Sequence, residues 1–171
     1  RESGFTTPDA PGLHAALADF AAQGATACAM AVSSIGLAEG RVNGVLFDVA
    51  IFTNLTRDHL DYHHTMAAYG EAKERLFTVP GLAAAVLNLD DGFSAQLLAK
   101  LRGKIRIIGY TLDEKLARPD GVDELLVAKN LAMTATGLRF DLNGQCFAAP
   151  VVGRFNAANL LSSHQGFALR D

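Results

Sequence analysis

The sequence predicts an α/β fold: a parallel sheet with flanking helices, joined by a small antiparallel sheet. Three observations predict it. Short, almost uniformly apolar runs recur through the first two-thirds of the chain, as strands covered on both faces require. Helix-like segments lie between them, which is the pattern of βαβ units. After Tyr110 the style changes to short alternating segments around Asn143-Gly144, the strongest short-range hairpin signal.

Taken in order, Thr7-Pro8-Asp9 offers a helix N-cap with proline in the first turn. Leu13, Leu17, Phe20 and Ala21 follow at helical spacing, and Gly24 ends the run. Ala25 to Val32 reads as the first strand, Val45 to Phe52 as the second, Ala83 to Leu89 as the third and Ile105 to Tyr110 as the fourth. Thr65 to Phe77 and Asp91 to Leu101 read as helices between them. Thr111 to Glu124 is polar, with a turn signal at Pro119-Asp120-Gly121. Leu125 to Val127 and Leu131 to Thr134 are short strand candidates that, with the Leu138 to Ala148 hairpin, make up the antiparallel sheet. Asn156 to Leu169 closes as a helix. The organisation expected is one domain with two sheets: 1–110 the parallel α/β part, 111–155 the small antiparallel sheet, 156–171 the terminal helix.

The 171 residues are one domain's worth of chain. Half are hydrophobic and 19% are charged, which excludes a disordered solvating segment. A net charge of −3 argues against a general nucleic-acid binder, which needs a basic face. Cys28 and Cys146 stand apart in apolar surroundings with no CxxC pattern, so both read as core thiols of a reducing compartment. Arg1-Glu2-Ser3-Gly4 has no apolar stretch behind it, and no run approaches the ~18 residues that span a bilayer. The reading is a cytosolic globular chain whose start without methionine fits an engineered start, a processed product or a trimmed piece of a longer protein.

In a parallel sheet the ligand site lies beyond the carboxyl ends of the strands. That singles out Ser33-Ser34, Thr53-Asn54 and Asp90-Asp91. The densest polar stretch runs from Thr53 to His64, where Asp58, His59, Asp61 and His63 are donors suited to magnesium, manganese or zinc. A solvated loop whose histidines cap the next helix explains the same residues. Lys73, flanked by Glu71 and Glu74, reads on spacing alone as a solvated helix charge beside an ordinary Glu71 to Arg75 pair. Ser33-Ser34 with Arg41 could hold an anion or simply make a turn. Thr6-Thr7 fits a helix cap, and Asn156 and Asn159, three apart, face one way on a helix. Neither GxxxxGK[ST] nor GxGxxG occurs, so the common phosphate cradles are absent from the chain.

The run Phe52-Thr53-Asn54-Leu55-Thr56-Arg57-Asp58-His59-Leu60-Asp61-Tyr62-His63, followed by Tyr69-Gly70-Glu71-Ala72-Lys73, closely resembles the central domain of the Mur ligases. Thr6-Thr7-Pro8-Asp9, Val32-Ser33-Ser34 with Arg41, Asn88-Leu89-Asp90-Asp91 and Gly153 to Leu160 agree in order and spacing. The resemblance runs from about Thr6 to Leu161 and is nearest to the members that add meso-diaminopimelate to UDP-MurNAc-L-Ala-D-Glu.

The resemblance implies a cytoplasmic bacterial ligase of peptidoglycan precursor synthesis. ATP phosphorylates a substrate carboxylate, and an amine then attacks the acyl phosphate. Carried over residue by residue, Lys73 matches a lysine that the family carbamylates into an oxygen ligand for Mg2+, and His59 matches a histidine ligand of that metal. Both therefore stand as catalytic and metal residues. Thr6, Thr7, Ser33 and Arg41 match positions that hold the UDP-MurNAc-dipeptide, and Asn156 and Asn159 match the segment against the adenine of ATP. Ala31 and Ile35 depart from the pattern, standing where the family usually has a magnesium-binding glutamate and a histidine. The family's phosphate loop belongs upstream of Arg1, its amino-acid-recognising domain belongs downstream of Asp171, and Ser162 to Asp171 departs from the family's helix. The expectation is a truncated central domain, inactive alone, with a companion segment, self-association or rearranged packing around Ala25 to Val32 and Val45 to Phe52. The other readings are a folylpolyglutamate synthase-like ligase domain, a metal-dependent hydrolase built on Asp58, His59, Asp61 and His63, and a non-catalytic remnant.

Overall fold

The computed structural model describes residues 6–168, with side chains through Ser163. The described chain divides into two compact units, one within Arg1–Phe47 and Thr56–Pro80, the other within Asp48–Leu55 and Gly81–Asp171.

The first unit is helical. Helix α1 (Ala10–Ala22) starts where the Asp9 carboxylate accepts the Gly12 N–H at 2.9 Å, so Asp9, not Thr7, is the cap. A five-residue helix α2 (Ser34–Ala38) is capped by the Ser33 hydroxyl, which accepts the Gly36 N–H at 3.0 Å. Helix α3 (Leu60–His63) is one turn long, and α4 (Met66–Glu74) runs into a 3-10 turn at Arg75–Thr78. Leu13, Leu37 and Val42 are its buried centre, with Met30, Val32 and Leu76 packed around them.

The second unit holds the sheets. β1 (Val49–Phe52), β2 (Ala84–Asn88), β3 (Arg106–Thr111) and β4 (Glu124–Val127) are all parallel, in that spatial order. Every residue of β2 is buried, which is why it reads as apolar up to its last residue, Asn88. Helix α5 (Phe93–Leu101) follows β2. β5 (Lys129–Met133), β6 (Leu138–Leu142) and β7 (Gln145–Ala149) form the antiparallel sheet. Asn143 and Gly144 both take positive φ, 50° and 82°, the two-residue turn their pairing predicts. Helix α6 (Arg154–Ala168) places Ala157 and Leu161 in one core with Val86, Ile108 and Phe140.

Four expectations are corrected here. Ala25 to Val32 is not a strand: the segment carries no ladder, and most of its residues are exposed. Alanine, threonine and cysteine offer little apolar area to bury, and only Met30 and Val32 reach a core. Val45 to Phe52 is half a strand, because the run is divided between two cores: Val45 and Phe47 pack in the first unit, and the ladder begins at Val49. Leu125 to Val127 belongs to the parallel sheet as part of β4, so that sheet extends past residue 110. Both cysteines are exposed rather than core thiols. Cys28 lies in the segment that forms no strand, and Cys146 lies on β7, which pairs on one side only. Ser162 to Ala168 continues α6, while Arg1-Glu2-Ser3-Gly4 and Leu169 to Asp171 lie outside the described residues.

The Asn88-Leu89-Asp90-Asp91 turn ties the carboxyl ends of the strands together. The Asn88 amide donates to the Thr53 carbonyl at 2.6 Å. Asp91 accepts the Leu55 N–H at 2.7 Å and the Phe93 N–H at 2.9 Å, and Asp90 accepts the Leu112 N–H at 2.9 Å together with the Thr111 hydroxyl. These carboxylates satisfy backbone donors that the strand ends leave open.

Candidate functional site

Three of the four residues expected to hold substrate meet in the first unit. Thr7 is fully buried, and its hydroxyl accepts the Ser33 N–H at 2.8 Å and lies 3.2 Å from the Ser33 hydroxyl. It also donates to the Ala31 carbonyl at 3.3 Å. The Arg41 guanidinium donates to the Thr7 carbonyl at 2.9 Å and pairs with Glu39 at 2.6 Å. Thr6 is exposed beside them. The fit is close: a Cβ added at Gly36 would stand 2.9 Å from the Thr7 Cβ and 3.1 Å from the Ser33 hydroxyl. The outcome is a cation of low exposure beside a hydroxyl-rich turn, the chemistry that recognises an anion.

His59 and Lys73, the pair expected at the metal, each lie against one aromatic ring, Tyr69, to which sequence reasoning gave no role. His59 packs edge-on against Tyr69, centroids 5.9 Å apart, and the Lys73 ammonium lies 5.1 Å from the same ring's centroid. Tyr69 and Lys73 are four apart on α4, the same-face helical spacing, and that spacing was the signal available for finding it. His59 sits in the left-handed region with φ 52°, its N–H bonded to the Asp58 carboxylate at 2.8 Å and its Nε2 3.6 Å from the other oxygen of that group. Burial, and secondarily the Asp58 charge, push the Tyr69 hydroxyl pKa up.

His63 stands apart from His59 in environment. It is buried, its Nε2 lies 2.9 Å from the Ser34 hydroxyl, and its ring stacks on Tyr69 with centroids 5.2 Å apart and planes 17° apart. Burial, then the His59 charge, lower its pKa, with Asp61 acting in the opposite direction.

The donors as they stand do not fit a resident magnesium. Among the described residues no three His, Cys, Asp or Glu side chains gather as ligands, and an unmodified lysine is a cation. Ala31, where the family resemblance leads one to expect a glutamate, carries only a methyl. Asp58, His59, Asp61 and His63 likewise form no three-ligand set among the described residues, so the geometry gives the hydrolase reading no support.

Asn156 and Asn159 lie in the second unit. The Asn156 side-chain amide, in the first turn of α6, donates to the Val152 carbonyl at 2.8 Å, and the Asn159 backbone carbonyl accepts the Ser162 and Ser163 hydroxyls at 2.8 and 2.9 Å. Among the described residues no helix is long and apolar enough to cross a membrane.

Comparison with known proteins gives one answer. Residues 1–165 match the family model described as the Mur ligase middle domain. The UDP-N-acetylmuramoyl-L-alanyl-D-glutamate–2,6-diaminopimelate ligase of Ralstonia nicotianae is 50% identical over 163 residues, which cover 93% of this chain and 32% of that protein. The ligase of the same name from Janthinobacterium is 44% identical over 181 residues, covering 99% and 35%. A solved structure of a ligase with that name superposes with a TM-score of 0.79 at 36% identity, covering 95% of this chain and 34% of the other. A structure of MurF from Acinetobacter baumannii shares the fold, with a TM-score of 0.53 at 20% identity over 71% of this chain. The chain spans about a third of the length of the curated relatives it matches.

Proposed function

The chain belongs to the Mur ligase middle-domain family, and from that membership we propose that it is part of an ATP-dependent, ADP-forming ligase of bacterial peptidoglycan precursor synthesis. In this reading the whole protein works in the cytoplasm and adds meso-diaminopimelate to UDP-MurNAc-L-Ala-D-Glu, the addition for which its relatives are named. The observation that carries it is the joining of Thr7, Ser33 and Arg41 into one hydrogen-bonded cluster in the unit that also brings His59 and Lys73 to Tyr69.

Bound ATP would supply a phosphoryl group that turns the substrate carboxylate into a mixed anhydride, after which amine attack expels phosphate. This chain's own part is binding and orientation. Arg41 would exchange its Glu39 partner for an anionic group of the UDP-MurNAc-dipeptide, Thr6 and Ser33 would present hydroxyls beside it, and the buried Thr7 would hold Ser33 through its hydroxyl and Arg41 through its carbonyl. Asn156 and Asn159 would lie against the adenine. His59 and Lys73 are the proposed catalytic pair. Carbamylation of Lys73 would replace the ammonium by oxygen donors beside His59, the change required before this donor set could hold Mg2+, and no step is derived through that ion.

The test is titration of UDP-MurNAc-dipeptide into the chain, with Arg41→Ala as the comparison. Saturable binding weakened at least tenfold by the substitution supports the reading, and no binding at millimolar ligand overturns it. The chain alone should release no ADP with ATP and this substrate, because it has no phosphate cradle of its own. We also propose a companion segment or a second copy at the β1 edge of the parallel sheet, which no described strand pairs. Light scattering of the chain at increasing concentration reads the self-association arm.

A further inference from the structure

Ser34 and His63 are 29 residues apart and form the polar contact between α2 and α3, both side chains buried. The His63 imidazole has one hydrogen-bond partner and two ring partners: Tyr62, its neighbour on α3, edge-on with centroids 4.9 Å apart, and Tyr69, stacked from α4. The Ser34 hydroxyl is on one side, and on the other the Tyr69 ring stacks at 17°. Each of those partners leads to a different half of the candidate site.

Ser34 is the first residue of α2 and follows Ser33, whose N–H meets the Thr7 hydroxyl and whose own hydroxyl caps the helix. Fixing Ser34 from α3 therefore fixes the start of α2, where Thr7, Ser33 and Arg41 meet. On the other side, Tyr69 carries His59 at its edge and the Lys73 ammonium near its face. A tyrosine ring on a nine-residue helix can turn about its χ angles unless something stacks on it, and the His63 ring is that partner. Two weaker links run beside this one. The Tyr62 hydroxyl reaches the Glu39 carboxylate at 3.5 Å, and the Arg75 guanidinium reaches the Leu37 and Ala38 carbonyls at 3.5 and 3.4 Å. Both sit at the far end of α2, so His63 alone of these holds its N-terminal end.

We propose that His63 is a positioning residue: its imidazole, bonded to Ser34 and stacked on Tyr69, sets the Thr7–Ser33–Arg41 cluster and the His59–Lys73 pair relative to each other. This deepens the functional reading above and rests on it for the meaning of the two groups, but the geometry can be tested without any ligand. A side chain that merely fills space would transmit nothing specific to either half. A two-armed link transmits separately through each arm.

The experiment is NMR of the whole chain with three variants. His63→Gln keeps an amide near the Nε2 position and removes the stacked ring. His63→Phe keeps a ring and removes the hydrogen bond. Ser34→Ala removes the hydrogen bond and leaves the imidazole. The expected result is a crossed pattern. His63→Phe and Ser34→Ala shift the amides of Thr7, Ser33 and Gly36 and leave the Lys73 ε-methylene and His59 ring protons near their wild-type positions. His63→Gln does the reverse, because Tyr69 is released and its ring current moves. Equal disturbance of both sets by every variant, or none in either set, overturns the proposal. If a His63 variant fails to fold, Ser34→Ala still decides: shifts confined to the Thr7–Ser33 side support the link, and shifts at Lys73 and His59 refute it. Failure of the ligase reading would show separately, as absence of UDP-MurNAc-dipeptide binding to the unmodified chain.

Discussion

Replacing Gly36 by alanine should injure the substrate cluster through a single methyl group. The new Cβ would stand 2.9 Å from the Thr7 Cβ, 3.0 Å from its Cγ2 and 3.1 Å from the Ser33 hydroxyl. Thr7 cannot swing away cheaply, since it is fully buried and its hydroxyl is committed to the Ser33 N–H. Overpacking of this kind costs about 1–3 kcal/mol. Alanine recovers roughly 0.4–1 kcal/mol by restricting the unfolded chain, so a net loss of about 1–2 kcal/mol is expected. Gly92→Ala is the control. It too lies outside the positive-φ region, and a Cβ there meets nothing within 4 Å. The same substitution should then stabilise by about 0.4–1 kcal/mol. Hydrogen exchange across a urea series, read on amides of the unit carrying each change, measures both. A Gly36→Ala chain as stable as the parent, or one that binds UDP-MurNAc-dipeptide with unchanged affinity, would refute the steric reasoning.

The other expectations concern charge and packing. Because His63 is buried with a lowered pKa, the unfolded chain binds the proton first as pH falls through about 6.5. Its contribution is therefore complete above that pH, is lost on acidification through it, and levels off below the folded value. Urea midpoints between pH 5 and 8 should show a slope in that window that shrinks in His63→Gln. Asp91→Ala orphans the N–H groups of Leu55 and Phe93 and should cost about 1–3 kcal/mol by denaturant unfolding. Phe140, 2% exposed and stacked on Phe147 at 5.6 Å, should cost about 3–5 kcal/mol as alanine, measured the same way.

Much of the second unit could be read from one-dimensional pattern. β2 and β3 announce themselves by the apolar stretches Ala84–Leu87 and Ile107–Tyr110, and the β6–β7 hairpin by Asn143-Gly144. In each case the cause is local: burial on both faces demands apolar residues throughout, and a tight turn demands residues that tolerate positive φ. The motif from Thr53 to His63 with Lys73 likewise named the family and pointed to residues that the fold gathers at Tyr69.

Tertiary packing decided the rest. Ala25 to Val32 has a strand's composition and no strand partner among the described residues, and Val45 to Phe52 is cut in two because its halves serve different cores. No spacing rule joins Thr7 to Ser33, Arg41 to Thr7 or Ser34 to His63, separated by 26, 34 and 29 residues. Periodicity along a chain reports how deeply each residue is buried, because every residue feels that locally. Which buried groups touch depends on how helices of quite different sequence position close on one another, and only the folded molecule contains that information.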